Sequence, residues 1–219
     1  MKNKTFPAGF VAGISAIALF VASHASIAQD TIRIGGLSTL EGTYAEVGQD
    51  GMRGIKMALE EFHYTVAGKK VEFIQAGSDG NADKAVAKAR ELIEQYKADI
   101  LIGPLSGDEG LAIKEYAKTQ PNKTFANGSS ASQDTTLRDP ASNFFRFSAD
   151  GAQWMAGLGK YAYDTKKYRK MTVIAEDYSF PYTQVFGFMH EFCGRGGHVV
   201  KKLWVPLGEQ DYSKVIYTI

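Results

Sequence analysis

Two short stretches carry residue types suited to holding a small polar molecule. Ser106-Gly107-Asp108 opens a helical run, so its backbone N–H groups stand at a helix start, where no intrahelical acceptor exists. Gly128-Ser129-Ser130-Ala131-Ser132 adds further N–H groups and three hydroxyls. Tyr44 and Tyr182 offer aromatic faces that could wall a pocket, and singly each is as well explained as a packed surface tyrosine. Asp108 reads first as an N-cap or first-turn acid, because a carboxylate complements the positive end of a helix. Ser129 and Ser130 balance evenly between turn residues and ligand contacts.

Other chemistries find less support. In Gly103-Pro104-Leu105-Ser106-Gly107 the serine stands one place too late for a nucleophile elbow. His24 lies in the leader, and none of His63, His190 and His198 falls at the C-terminal end of an expected strand, where a general base would be needed. His190 and Cys193 are helix neighbours, but His198 starts a strand at the wrong end of the sheet. A packed cysteine and exposed histidines are expected there in place of a metal site. Neither G-x-x-x-x-G-K-[ST] nor G-x-G-x-x-G occurs. The expectation is a protein that is not an enzyme and uses no cofactor or metal.

The elements that must position these residues alternate between strand and helix. Strands are expected at Thr31–Ser38, Lys70–Ala76, Asp99–Gly103, Lys123–Ala126, Asn143–Phe147, Lys170–Glu176 and His198–Pro206. Helices are expected at Val47–Tyr64, with Met52, Ile55, Leu59 and Phe62 inward, and from an Asn81 or Asp83 cap to about Lys97, with Val86, Ala89, Ile93 and Tyr96 on one face. Three more follow at Glu109–Lys118, from Asp150 or Gly151 to Lys166 with Trp154, Leu158, Tyr161 and Ala162 inside, and at Tyr182–Cys193. Phe180, Phe186, Phe188 and Phe192 read mostly as core of that last helix. A final helix begins at Asp211.

This alternation predicts an α/β fold with mostly parallel, doubly wound sheets. A break near Phe147–Gly151 divides the chain into a unit at 29–147 and a second, incomplete unit at 148–219. The second has too few strands for a complete sheet, so a fragment or truncated product of a larger two-domain protein is expected, with weak or no ligand affinity for 29–219 alone. Ligands of open parallel sheets sit beyond the carboxyl ends of the strands. The loops Ser38–Gly48, Pro104–Asp108, Asn127–Thr136 and Asp177–Thr183 are therefore the candidates.

Composition bounds the class. The 219 residues carry 25 Lys plus Arg against 24 Asp plus Glu, a net charge of +1, with 44% hydrophobic and 22% charged residues. That profile suits a folded protein and argues against a nucleic-acid binder, which needs a basic surface. One cysteine excludes an intrachain disulfide framework. Lys2 and Lys4, an apolar stretch from Phe6 to Val21 and the small residues of Ser26-Ile27-Ala28 read as a signal peptide cleaved after Ala28. No cysteine follows for a lipid anchor, and no later segment is apolar enough to span a bilayer.

Five segments stand in order: TIRIGGLSTLEGTYAEVGQDGMRGIKMALEE, DILIGPLSGDEGLAI, NGSSASQDTT, NFFRFSADGAQW and VIAEDYSFPY. As an ordered set behind a signal peptide they resemble the substrate-binding proteins of ABC transporters, in the type I periplasmic binding family of the leucine/isoleucine/valine-binding kind. The resemblance covers residues 31–219. It implies two α/β lobes joined by a hinge, a small-molecule solute enclosed between them, docking of the closed form on a membrane permease, a periplasmic location and a monomer. It also implies that Leu105, Ser106 and Gly107 with Gly128, Ser129 and Ser130 hold the ligand's carboxylate and amine, while Tyr182 closes over it from the second lobe. Amino-acid binders of this kind commonly have a second hydroxyl residue where Gly107 stands and a small residue where Asp108 stands. A carboxylate at 108 would repel a ligand carboxylate placed there, so either Asp108 turns away or the ligand presents a donor to it. The ligand class implied is an amino acid, an aromatic acid or an amide. The alternative use of the same fold is the ligand-sensing ectodomain of a receptor.

Overall fold

A computed structural model describes residues 31–219. The segment read as a signal peptide lies outside the described residues. Among the described residues there are two mostly parallel sheets, one of six strands and one of two.

The larger sheet contains β1 (Ile32–Thr39), β2 (Thr65–Val66), β3 (Lys69–Ser78), β4 (Ile100–Ile102), β5 (Thr124–Asn127) and β6 (Phe144–Arg146), in the order β2-β3-β1-β4-β5-β6. All pairings are parallel except β2 with β3, a short antiparallel addition turning at Ala67-Gly68 that the sequence reading missed. Strand alternation sends Leu37, Leu101 and Phe125 to one face, where α2 (Ala82–Arg90) and α3 (Gly107–Lys118) cover them with Ala85, Ala89, Ile113 and Ala117. The opposite face buries Ile34 and Val71 under Leu59 of α1 (Ala45–Glu61). Asn81 caps α2 by accepting from the N–H groups of Asp83 and Lys84. Past Arg90 the helix continues through a wider turn at Glu91–Gln95.

The smaller sheet pairs β7 (Lys170–Glu176) with β8 (His198–Val205) in parallel. Between β6 and β7 the expected single helix is broken into α4 (Gly151–Trp154), α5 (Leu158–Lys160) and a wide turn at Tyr161–Thr165. The cause is Gly157, whose φ of +88° is left-handed backbone that ends α4 and restarts the chain. The break rotates Trp154, Leu158 and Tyr161 out of the expected core, leaving them exposed, while Ala162 packs with Phe188 and Phe192 as expected. Phe186 of α6 (Ser179–Gly194) is exposed as well, and so are Phe62 and Tyr96, which lie past the ends of their α-helices. The final helix, α7, is a single turn at Ser213–Ile216. Among the described residues no helix is long and apolar enough to cross a membrane.

Candidate functional site

The C-terminal ends of β1, β3 and β4 meet around one carboxylate. Glu109, in the first turn of α3, is fully buried, with no cation among its hydrogen-bond partners in the described residues. Its Oε2 accepts from Thr39 Oγ1 at 3.0 Å and from the Ser106 N–H at 3.1 Å. Its Oε1 accepts from Ser78 Oγ and from the Gly80 N–H at 3.1 Å. Ser106 Oγ in turn accepts from the Glu109 N–H, completing a capping box. Four donors and the helix start together offset the cost of burying the charge. Three loops are thereby held in one arrangement.

The neighbouring loop is organised by Asn127 at the end of β5. Its Oδ1 accepts from the N–H groups of Ser129 at 3.2 Å and Ser130 at 2.8 Å, and its Nδ2 donates to the Ser130 carbonyl at 2.7 Å. The N–H groups of Ser106, Ser129 and Ser130, which the sequence offered as ligand donors, are thus spent inside the protein. Those of Gly107 and Asp108 keep no protein acceptor among the described residues.

Beyond these strand ends lies a cavity of about 190 Å³. Tyr44 and Val47, Leu105 to Gly107, Ser129 and Ala131, and Tyr178 and Phe180 line it, one group from each of the four loops named from sequence. Trp154 completes the wall. Its ring meets Phe180 edge-on at 5.4 Å and 84°. Among the described residues, four aromatic rings and no charged side chain form the lining, an arrangement suited to a flat apolar body with few polar groups.

The smaller sheet closes the cavity through direct contacts. Tyr44 Oη donates to Glu176 Oε2 at 2.7 Å and lies 3.0 Å from Tyr178 Oη. Burial, followed by these two hydrogen bonds, raises the Tyr44 phenol far above its ordinary range, so it remains a donor. Burial likewise raises Tyr178. The Gly208 N–H holds the other oxygen of Glu176 at 3.2 Å. Asp108 Oδ1 accepts from the Ser179 N–H at 3.1 Å, so its carboxylate turns to the smaller sheet. Between the sheets, Arg146 bridges to Asp150 at 3.4 Å and donates to the Ser148 carbonyl, and the Gly151 N–H donates to Ala131.

The structure therefore brings Tyr44, Leu105, Ser106, Gly107 and Ser129 to one cavity and leaves three candidates outside it. Gly128 lines a separate apolar cavity of about 390 Å³ beside α1. Ser130 is wholly buried behind the wall, its Oγ facing Gly110 without a hydrogen-bond partner among the described residues. Tyr182 is exposed. Its hydroxyl donates to Asp177 Oδ1, which raises its pKa, and its ring packs edge-on against Trp204 at 4.6 Å. Tyr178, and not Tyr182, is the tyrosine of this loop that lines the cavity. Tyr178 lies inside a loop already named from sequence, and Gly157 was the available sign that Trp154 would leave its helix face. Among the described residues no group of three His, Cys, Asp or Glu side chains could hold a metal ion.

Comparison with known proteins places this geometry. A Leu/Ile/Val-binding protein homolog 6 of Brucella abortus is 24% identical over 208 residues, covering 94% of this chain and 52% of that protein. An ABC transporter substrate-binding protein from Sphaerobacter thermophilus superposes with a TM-score of 0.74 at 30% identity, over 87% of this chain and 52% of the other. An ABC transporter solute-binding protein from R. palustris, in complex with 4-hydroxybenzoate, superposes with a TM-score of 0.77 at 26% identity, over 86% and 50%. The chain spans about half the length of the curated relatives it matches. The family described as periplasmic binding protein matches residues 31–219, the same span that builds the parallel sheets and the cavity, and the chain belongs to that family, with its type I fold.

Proposed function

We propose that this chain forms the solute-capturing part of an ABC importer and holds a small aromatic acid or amide between two lobes, 29–147 and 148–219. The observation that carries this reading is the cavity wall of Tyr44, Trp154, Tyr178 and Phe180 around the unpaired N–H of Gly107. A planar ring fills the aromatic slot, and a ligand oxygen accepts from the Gly107 N–H and the Ser129 hydroxyl. The bound 4-hydroxybenzoate of the R. palustris protein supports the aromatic reading. Ligand contacts on both lobes stabilise the closed form, which docks on a membrane permease. The basic, apolar and small-residue pattern of residues 1–28 supports export to the periplasm, and the chain acts there as a monomer without nucleic acid.

Calorimetric titration with benzoate, 4-hydroxybenzoate, benzamide and leucine tests the reading. In the full-length protein at least one aromatic ligand is expected to bind with a Kd of about 1–10 μM or tighter, and leucine more weakly. Leucine binding ahead of every aromatic ligand, or no binding by any of the four, would overturn it.

A further inference from the structure

Trp154 differs from the other three rings of the cavity in its exposure. Tyr44, Tyr178 and Phe180 are half-buried, whereas Trp154 is 59% exposed. It therefore lines the cavity with part of its side chain and meets solvent with the rest. Val47 and Ser129 are lining residues that also reach solvent, but both side chains are small beside an indole.

The backbone under Trp154 is held firmly. Asp150 Oδ1 accepts from the Gln153 N–H at 2.9 Å, and Gln153 Oε1 accepts from the Asp150 N–H at 2.9 Å, so a capping box brackets the turn that carries the indole. Asp150 is itself buried and paired with Arg146. α4 also lies backbone to backbone on α6. A Cβ at Gly187 would stand 2.6 Å from the Ala152 backbone, and one at Gly151 would stand 2.9 Å from the Phe180 carbonyl oxygen. The indole packs on Phe180 with ring centroids 5.4 Å apart. A large side chain on so tightly packed a turn makes a wall of fixed position.

The cavity behind that wall measures about 190 Å³, below the roughly 300–1,000 Å³ of sites that take drug-sized molecules. One benzene ring with a carboxyl or amide group suits such a space. A second ring directed at the wall meets the indole, which moves aside only by giving up its contact with Phe180.

We propose that Trp154 is a specificity-determining residue whose indole closes the solvent side of the cavity and limits the ligand to a single aromatic ring. This rests on the solute-binding reading of the cavity and adds a size limit to it.

The test uses the full-length protein. Benzoate and 2-naphthoate are titrated by calorimetry into wild type and Trp154→Ala. Naphthoate carries more apolar area, so without a size limit it binds the more tightly of the two. Wild type is instead expected to prefer benzoate by about tenfold or more, and Trp154→Ala to narrow that ratio by about tenfold. An unchanged ratio in Trp154→Ala, or a wild type that prefers 2-naphthoate, overturns the proposal and leaves the solute-binding reading standing. A wild type that binds neither of these nor the other aromatic ligands defeats that reading. A second measurement needs no alanine variant. In protein labelled with 5-fluorotryptophan, the Trp154 fluorine signal is the one absent from Trp154→Phe. Benzoate is expected to shift that signal in wild type, and a signal unmoved at saturating benzoate overturns the proposal.

Discussion

Tyr44 Oη and Glu176 Oε2 lie 2.7 Å apart and join the 3-10 turn after β1 to the end of β7. The bond is part-buried and shares its phenol with Tyr178, so the two sheets meet through a small polar network at the rim of an aromatic cavity. Tyr44→Phe is expected to lower unfolding free energy by about 1 kcal/mol, and a Tyr44/Glu176 double-mutant cycle in urea should show coupling of about 0.5–1.5 kcal/mol. The folded-state pKa of Tyr44 is raised, chiefly by burial. Its contribution is therefore fully present below the unfolded value of about 10 and is lost as pH rises above it. Alkaline unfolding curves of wild type and Tyr44→Phe should converge above that pH; parallel curves would remove the bond from the account.

Glu109 anchors Thr39, Ser78, Gly80 and Ser106 at once. Replacing it by alanine leaves the buried Ser106 N–H, the half-buried Gly80 N–H and two buried hydroxyls without that acceptor. A loss of about 2–5 kcal/mol is expected in chemical denaturation, with Glu109→Gln losing less because an amide oxygen still accepts. A cost below about 1 kcal/mol for the alanine variant would show that the hub is dispensable.

Ser129 and Ser130 should separate sharply although they are adjacent. Ser129 lines the cavity, and Ser130 Oγ is buried without a partner. Ser129→Ala is expected to weaken aromatic-ligand binding by about 1 kcal/mol. Ser130→Ala should leave affinity unchanged and hold or raise the melting temperature, since it deletes an unsatisfied buried hydroxyl. The reverse ranking by calorimetry would restore the role that family resemblance assigned to Ser130.

Glu191 of α6 caps the start of α5 from a neighbouring helix, accepting from the Gly157 N–H at 2.8 Å and the Lys160 N–H at 3.1 Å. Those backbone bonds, that of Gly157 first, hold its carboxyl below the ordinary range. Its stabilisation is therefore present above the unfolded carboxylate value of about 4.3 and fades as pH falls through the lowered folded value. Glu191→Gln should melt lower than wild type at pH about 7 and match it at pH about 2–3. A difference independent of pH would assign the effect to packing.

Strand positions, the parallel α/β class and the four cavity-forming loops were legible in the sequence, because they follow from local periodicity and from helix starts such as Ser106 and Asn81. Those signals depend on neighbours a few residues away, and the chain carries them wherever it folds. The partners of each polar group were not legible in the same way. Whether the Ser106 N–H faces a ligand or Glu109, whether Asp108 serves its own helix or α6, and whether Tyr178 or Tyr182 meets Tyr44 depend on contacts between segments up to 134 residues apart in the chain. Burial makes each unpaired N–H or carboxylate costly, so these groups are satisfied by whichever donor or acceptor the packed sheets bring within reach. Only the tertiary structure decides which that is.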